Sequence, residues 1–484
     1  MPLEGPPPVS FNPLAAMRSD LRAERAISVP FPPGETRVSA KRTERLRRDP
    51  LGMLLEGYER YGPVFTMRVF HGNTVFVLGP EANYHVLVAG AENFAYREGQ
   101  YRDLIGLLGD GLLTIDGEFH RRSRLAMLPV FHRESIAAAH QTILEETRAA
   151  IDAMRLGERV DLYTWTRHLA MRIALRALFG IDPDGPAAQS VDAAELFEYA
   201  LGFYGREYAL QALRGPMTPF AKMRAARSRL DWLVYSEIAR RRRSGERGLD
   251  LLSVLLDARD EDGSSLSARQ VRDEVMTLLF AGHDTSTSTI AFMFYELARQ
   301  PEWAERLRAE QDEVLAGRAP AAADLTGETL PTLEMVIDET LRLYPPAWIG
   351  PRRSRENFTV CGVQVPGGIP VDYSSWISHR LPDVWPEAHA FLPERFAPAA
   401  KAALPRGAYI PFGGGSRTCI GMRFGQLEVR TIATLLLAAH SFELEPGYTL
   451  RIRQMPTISP RDGLPVRVQA RARTAPAARA TAAA

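Results

Sequence analysis

The chain has two thiols, Cys361 and Cys419, and only the second sits among residues that could prepare it for chemistry. Its surroundings read Pro411-Phe412-Gly413-Gly414-Gly415-Ser416-Arg417-Thr418-Cys419-Ile420-Gly421. Three consecutive glycines permit positive φ and let the backbone approach something flat or bulky. Apolar residues at Met422, Phe424, Leu427, Val429 and Ile432, then Leu435 to Leu437, read as a helix running to His440. Cys419 therefore lies just ahead of a helix N-terminus, where backbone N–H groups and the macrodipole lower a thiol pKa. A thiol so placed is a nucleophile, a redox group or a metal ligand. A nucleotide-binding reading of the glycines fails on context. No strong strand precedes them, no Lys-Ser/Thr follows, and no acidic residue stands at the required offset.

The second unusual stretch is Gly282-His283-Asp284-Thr285-Ser286-Thr287-Ser288-Thr289. It interrupts a helix pattern over Ala268 to Gln300 that Ser267 and Gln270 open as a capping box and Pro301 stops. At ~1.5 Å per residue that helix spans roughly 50 Å, a whole domain. It is apolar nearly all round on both sides of the polar stretch, the mark of a buried helix. Small polar residues compete for backbone hydrogen bonds, so a weakened turn there calls for a functional reason.

The remaining elements would position these two stretches. Residues 1–40 form a Pro- and Arg-rich lead-in, partly disordered, with an extended Val29–Gly34 segment. A short helix follows over Asp49 to Tyr61, then a hairpin pairs Val64–Phe70 with Thr74–Leu78. Helices dominate from Glu81 to Gly317, among them Arg133–Met154, Trp165–Phe179 and Pro219–Arg242. Thr332–Tyr344 is a helix stopped by Pro345-Pro346. Short strands follow at 358–360, 363–365 and 369–371. Residues 471–484 form an Ala- and Arg-rich tail read as disordered. The 484 residues are 45% hydrophobic, and 59 Lys and Arg balance 58 Asp and Glu. This argues for one large core and gives no sign of a nucleic-acid partner. Two cysteines suit a reducing compartment, and no membrane span or signal peptide is visible, so a cytoplasmic location is expected.

The pattern Phe412-x-x-Gly415-x-Arg417-x-Cys419-x-Gly421 resembles the haem-binding signature of the cytochrome P450 family at every defining position. Three further motifs occur in the family's order. Ala281 to Ser286 resembles the oxygen-activating turn. Glu339-Thr340-Leu341-Arg342 resembles the Glu-x-x-Arg motif, and Pro393-Glu394-Arg395-Phe396 resembles the segment whose arginine joins that pair. The likeness covers roughly residues 30–468.

That resemblance implies a mainly α, single large cytochrome P450-like domain over residues 41–470, with small β-sheets near the N-terminus and after the Glu339 helix. It implies haem b (iron protoporphyrin IX), with the Cys419 thiolate as metal ligand and Phe412 and Gly421 shaping the loop. His120 and Arg124, at i and i+4, with Arg352 and Arg417, would meet the haem carboxylates. Asp284 and Thr285 would act as an acid–alcohol pair relaying protons, and Gly282 would leave room for dioxygen. Glu339, Arg342 and Arg395 would form a structural network behind the cysteine loop. Phe280, Ala281, Ala347, Trp348, Ile349 and Ile458 would face an apolar small-molecule substrate. The implied activity is that of a haem-dependent monooxygenase without a fused reductase. Its electrons would come ultimately from NAD(P)H through a ferredoxin or flavodoxin type partner and its reductase, docking near Arg121, Arg122 and Arg423. The alternatives are a peroxide-driven haem-thiolate peroxygenase and a non-catalytic haem-binding sensor.

Overall fold

The structure, a computed structural model, describes residues 13–204, 210–211, 213–259, 265–455 and 457–471, with Pro6 and Gly263 besides. At its centre runs the helix Ala268–Arg299, opened by the capping box: Ser267 Oγ accepts from Gln270 N, and Gln270 Oε1 accepts from Ser267 N. Around it pack the helices Leu162–Ile173, Pro219–Ser244, Pro331–Leu343 and Met422–Ala439. Nearly every residue of this central helix from Val271 to Leu297 is buried, as its all-round apolar pattern requires.

The hairpin and the strands beyond the Glu339 helix join one six-stranded sheet. Val64–Val69 and Gly72–Val77 pair antiparallel with Thr66 opposite Val75. Gly72–Val77 then lies parallel to Pro370–Tyr373, which pairs antiparallel with Gly350–Ser354 and through it reaches Phe94–Ala95. Gly34–Glu35 closes the other edge. A three-stranded sheet joins His440–Leu444, Pro465–Ala470 and Arg159–Asp161. Two short hairpins complete the β structure.

Within the stretch read as an extended lead-in, Pro13–Arg25 is a helix, with proline at its first turn where no N–H is required. Asp20 on it meets Arg102, Arg353 and His71, and Glu24 meets Arg68 and Asn73. The helix is thus held by charge on the hairpin and on the segment Gln100–Leu104. Its pattern of Ala, Arg and acidic residues conceals this, because its partners lie far off in the sequence. The expected disordered tail lies, apart from Arg471, outside the described residues. Among the described residues no helix is long and apolar enough to cross a membrane.

Candidate active site

Cys419 sits in a loop closed on itself, its N–H donating to Phe412 O at 2.9 Å. The thiol lies deep in the molecule yet opens on a cavity of about 1410 Å3. Gly421 N–H points at the sulfur, as the helix start at Met422 suggests, and the Arg124 charge also favours the thiolate. Burial is the largest influence, however, and pushes the thiol pKa up rather than down. Two of the three glycines, Gly414 and Gly415, have a different reason from the one expected. Gly415 has φ +62°, and a Cβ on it would stand 2.2 Å from Leu87 O. A Cβ on Gly414 would meet the Leu87 side chain. These two fit the loop against the helical segment His85–Ala89, while Phe412 and Gly413 face the cavity.

Among the ionisable groups that line the same cavity are His120, Arg124, Arg352 and Arg417. Arg417 donates to Asp116 Oδ1 at 2.7 Å and Ile115 O at 2.8 Å. Arg352 bonds to the Tyr96 hydroxyl, with its guanidinium 3.5 Å from that ring's centroid. Among the described residues the side chains of His120 and Arg124 have no hydrogen bond or ion pair. Burial and the nearby Arg417 and Arg124 push His120 down to about 3. With His120 neutral, Arg124, Arg352 and Arg417 outnumber Asp116 and Asp372 and leave the site positive, beside a thiol suited to iron. The donor set fits haem, with its two carboxylates.

The central helix presents Ala281, Thr285 and Thr289, spaced by four, along the cavity, with Phe280 and Ser286 beside them. The expected weakening of the polar stretch is absent, since the helix runs unbroken. Thr285, Thr287 and Thr289 return their hydroxyls to the carbonyls of Ala281, His283 and Thr285 at 2.7–2.9 Å. Asp284 faces elsewhere. One residue is about 100° of helix, and its carboxylate accepts from Thr457 Oγ1 instead of lining the cavity. Gly282 also turns away: a Cβ there would meet only Leu178, at 3.6 Å, so the expected room for dioxygen is not its contribution. His283 is buried, its Nδ1 donating to Leu279 O.

Sequence reasoning missed a second polar pair. Ser286 donates to Glu428 Oε2 at 2.5 Å, linking the central helix to the helix that follows Cys419. Burial pushes Glu428 up to about 8, so it is largely protonated at neutral pH. Met422–Ala439 is strongly apolar, and a glutamate on its buried face was the available signal.

Behind the cysteine loop, Glu339 and Arg342 are wholly buried and paired through two hydrogen bonds, at 2.7 and 2.8 Å. Arg342 also donates to the carbonyls of His379, Ala388 and Ala390. Arg395 stands 3.5 Å from Glu339 and holds Glu387 O. The link onward is His379, whose Nε2 accepts from Ile410 N two residues before Phe412.

Of the other expected wall residues, Ala347, Trp348 and Ile349 line the cavity, and Trp348 Nε1 donates to Gln454 O. Ile458 does not. It is wholly buried, its N–H on Pro346 O, and its neighbours Met455 and Thr457 face the cavity instead. The roof segment 107–112 is stapled to the central helix by Arg272, Asp273 and Glu274. Gly109 and Gly111 allow this, since Cβ atoms there would stand 2.2 Å from the Asp273 side chain and 2.1 Å from Thr277 Oγ1.

The family model for cytochrome P450 matches residues 37–462. The chain is 34% identical over 449 residues to cyclooctat-9-en-7-ol 5-monooxygenase of Streptomyces melanosporofaciens, covering 91% of this chain and 95% of that one. It is 32% identical to pentalenene oxygenase of Streptomyces avermitilis, over 75% of this chain and 81% of that one. Retinoic acid bound cyanobacterial CYP120A1 superposes with a TM-score of 0.82 at 28% identity, over 92% of this chain and all of that one.

Proposed function

The chain belongs to the cytochrome P450 family and is a monooxygenase, and on that premise we propose that it inserts one oxygen atom of O2 into an apolar, terpenoid-sized molecule. The observation that carries this reading is the opening of the Cys419 thiol and the Ala281–Thr285–Thr289 stripe on one cavity. At about 1410 Å3 it exceeds the roughly 300–1,000 Å3 of an ordinary ligand pocket, leaving space for a flat cofactor and a substrate together. The relatives' names, a cyclooctatenol monooxygenase and a pentalenene oxygenase, support a carbocyclic hydrocarbon skeleton.

Haem, when bound, supplies the oxygen activation and electron transfer that no side chain offers. Cys419 would ligate it, and Arg352, Arg417, Arg124 and His120 would hold its carboxylates. Thr285 Oγ1 holds a proton at the cavity wall. Asp284, tied to Thr457 Oγ1, must release that contact before its carboxyl can exchange protons with Thr285. Ser286, which also borders the cavity, and the protonated Glu428 on the facing helix Met422–Ala439 offer a second proton reserve. Electrons reach the protein from NAD(P)H through a ferredoxin or flavodoxin type partner in the cytoplasm. Arg423 is exposed near the cysteine and suits an acidic partner. Arg121 is paired with Glu118 and contributes less charge to such a surface than its sequence position suggests.

The turned-away Asp284 also favours a second reading, peroxide-driven oxidation, which needs no such relay. The test has two parts. Reduced protein with CO should show the strongly red-shifted Soret band of thiolate ligation, and Cys419→Ala should abolish it. Product should then form with NAD(P)H, dioxygen and redox partners. Product from peroxide alone at an equal rate favours the second reading.

A further inference from the structure

The cavity that begins at Cys419 extends past the cationic cluster and reaches the surface at Arg47, Arg48 and Phe70, all exposed. At this end Asp20 and Glu24 of the helix Pro13–Arg25 border it too. Asp20 accepts from Arg102 and from Arg353 at 2.8 Å each and pairs with His71 at 3.0 Å. Glu24 accepts from Arg68 at 2.8 Å and from the Asn73 side chain at 2.9 Å. These partners belong to three elements: the hairpin over residues 64–77, the segment Gln100–Leu104 and the strand Gly350–Ser354. The helix is a strap laid across the seam where they meet.

Charge holds this strap, and not an apolar face. Among its described side chains Asp20 alone is buried, while Met17 and Leu21 are half-buried and belong to no hydrophobic core cluster. Lifting the helix therefore breaks no core contact. Arg102, His71 and Glu24 keep 19–21% of their side-chain surface in water. Pairs of that kind are individually weak and are screened by salt, so the helix can open locally at far less cost than unfolding. Behind it the chain leads inward. Arg353, Arg352, Pro351 and Ile349 all border the cavity, and at ~3.3 Å per residue Ile349 lies about 13 Å along the chain from Arg353. Phe76, Leu104 and Ile369 add apolar wall.

We propose that the helix Pro13–Arg25 is a salt-latched gate over the entrance to the cavity. Bulky apolar molecules enter when Asp20 and Glu24 release their partners, and the latch re-forms behind them. The gate sets the rate of exchange and not the affinity, because it is closed both before and after entry.

The test follows clotrimazole, a bulky azole, as it binds the haem-loaded protein in stopped flow at a pH where the azole is uncharged. Charge steering is then absent, and salt acts on the protein. Association with the wild type should quicken as salt rises to about 1 M, where the Debye length is about 3 Å. Asp20→Asn combined with Glu24→Gln keeps both shapes and removes both charges. At low salt it should raise the association and dissociation rates alike by roughly tenfold, equal to about 1.4 kcal/mol and within reach of a few weak pairs. Its dissociation constant should be unchanged, and its rates should no longer respond to salt. Entry past Arg214 and Met455, also exposed where they border the cavity, would leave both proteins at one rate and overturn the proposal. A change in affinity with association unaltered would overturn it as well. Hydrogen exchange supplies a readout that needs no haem. In the wild type Pro13–Arg25 should exchange well before Ala268–Arg299, and faster still at high salt. Protection equal to that of Ala268–Arg299 would mean that the strap opens only on unfolding, and the gate would fall.

Discussion

Thr285 holds its hydroxyl on Ala281 O at 2.8 Å, a bond it must loosen to pass a proton into the cavity. Thr285→Ala should keep NAD(P)H consumption, raise peroxide release and sharply lower product per NAD(P)H, since general acid–base assistance is worth about 10²–10⁴-fold. Thr285→Ser should keep most of the coupling. Peroxide and product assayed together check this, and unchanged coupling in the alanine variant would remove Thr285 from the relay. Local pairings were readable in the residue pattern: Glu339 with Arg342 at i, i+3, and Ser267 with Gln270 at the cap. Partners far apart in sequence were not. Thr457 lies 173 positions from Asp284, and Glu428 lies 142 from Ser286. Spacing says which helix face a residue occupies, but not which distant strand or helix covers that face. That is also why the segment 455–458 is readable as cavity wall, but not that Met455 and Thr457 face inward and Ile458 does not.

Glycines divide by what their elements touch. Gly282→Ala adds a methyl in ordinary contact with Leu178, at 3.6 Å, inside a long helix. It should be tolerated or stabilising by up to about 1 kcal/mol, the helix preference of alanine over glycine, with product formation kept. Gly415→Ala meets Leu87 O at 2.2 Å with φ at +62°, so the cysteine loop must move. It should express with poor haem content and a weak CO band; full haem content would refute the close-approach argument. The element hardest to read from sequence was the helix Pro13–Arg25, whose stability lies in Asp20 and Glu24 and not in an apolar face. Asp20 is held well below the usual carboxylate range. Burial opposes this, but His71, Arg102 and Arg353 outweigh it. Asp20→Ala should therefore speed hydrogen exchange in Gln100–Leu104, which Arg102 anchors, and leave the helix Met422–Ala439 protected. Equal acceleration in both would indicate global loosening instead.

At the scale of the whole molecule, buried ionisable groups set a pH optimum for stability. Burial raises Glu274 and Asp372 to about 7 and Glu428 to about 8, against roughly 4 for the unfolded carboxyls. Between those values the folded state binds more protons than the unfolded one. Stability from these groups is therefore complete below about pH 4 and lost as pH rises towards 7–8. His120 and His379 act in the opposite sense. Burial lowers each to about 3, so below the unfolded value of about 6.5 the unfolded state binds more protons and stability is lost as pH falls. Above about pH 6.5 the histidines contribute no slope and the three acids remain, so the melting temperature should fall steadily between about pH 6.5 and 8. Glu428→Gln keeps the shape and a partner for Ser286 while removing one titration. Relative to the wild type, its melting temperature should rise between pH 6 and pH 8. Parallel curves for the two proteins across that range would mean that Glu428 is not protonated in the folded state, and the proton reserve assigned to Ser286 and Glu428 would fall with it.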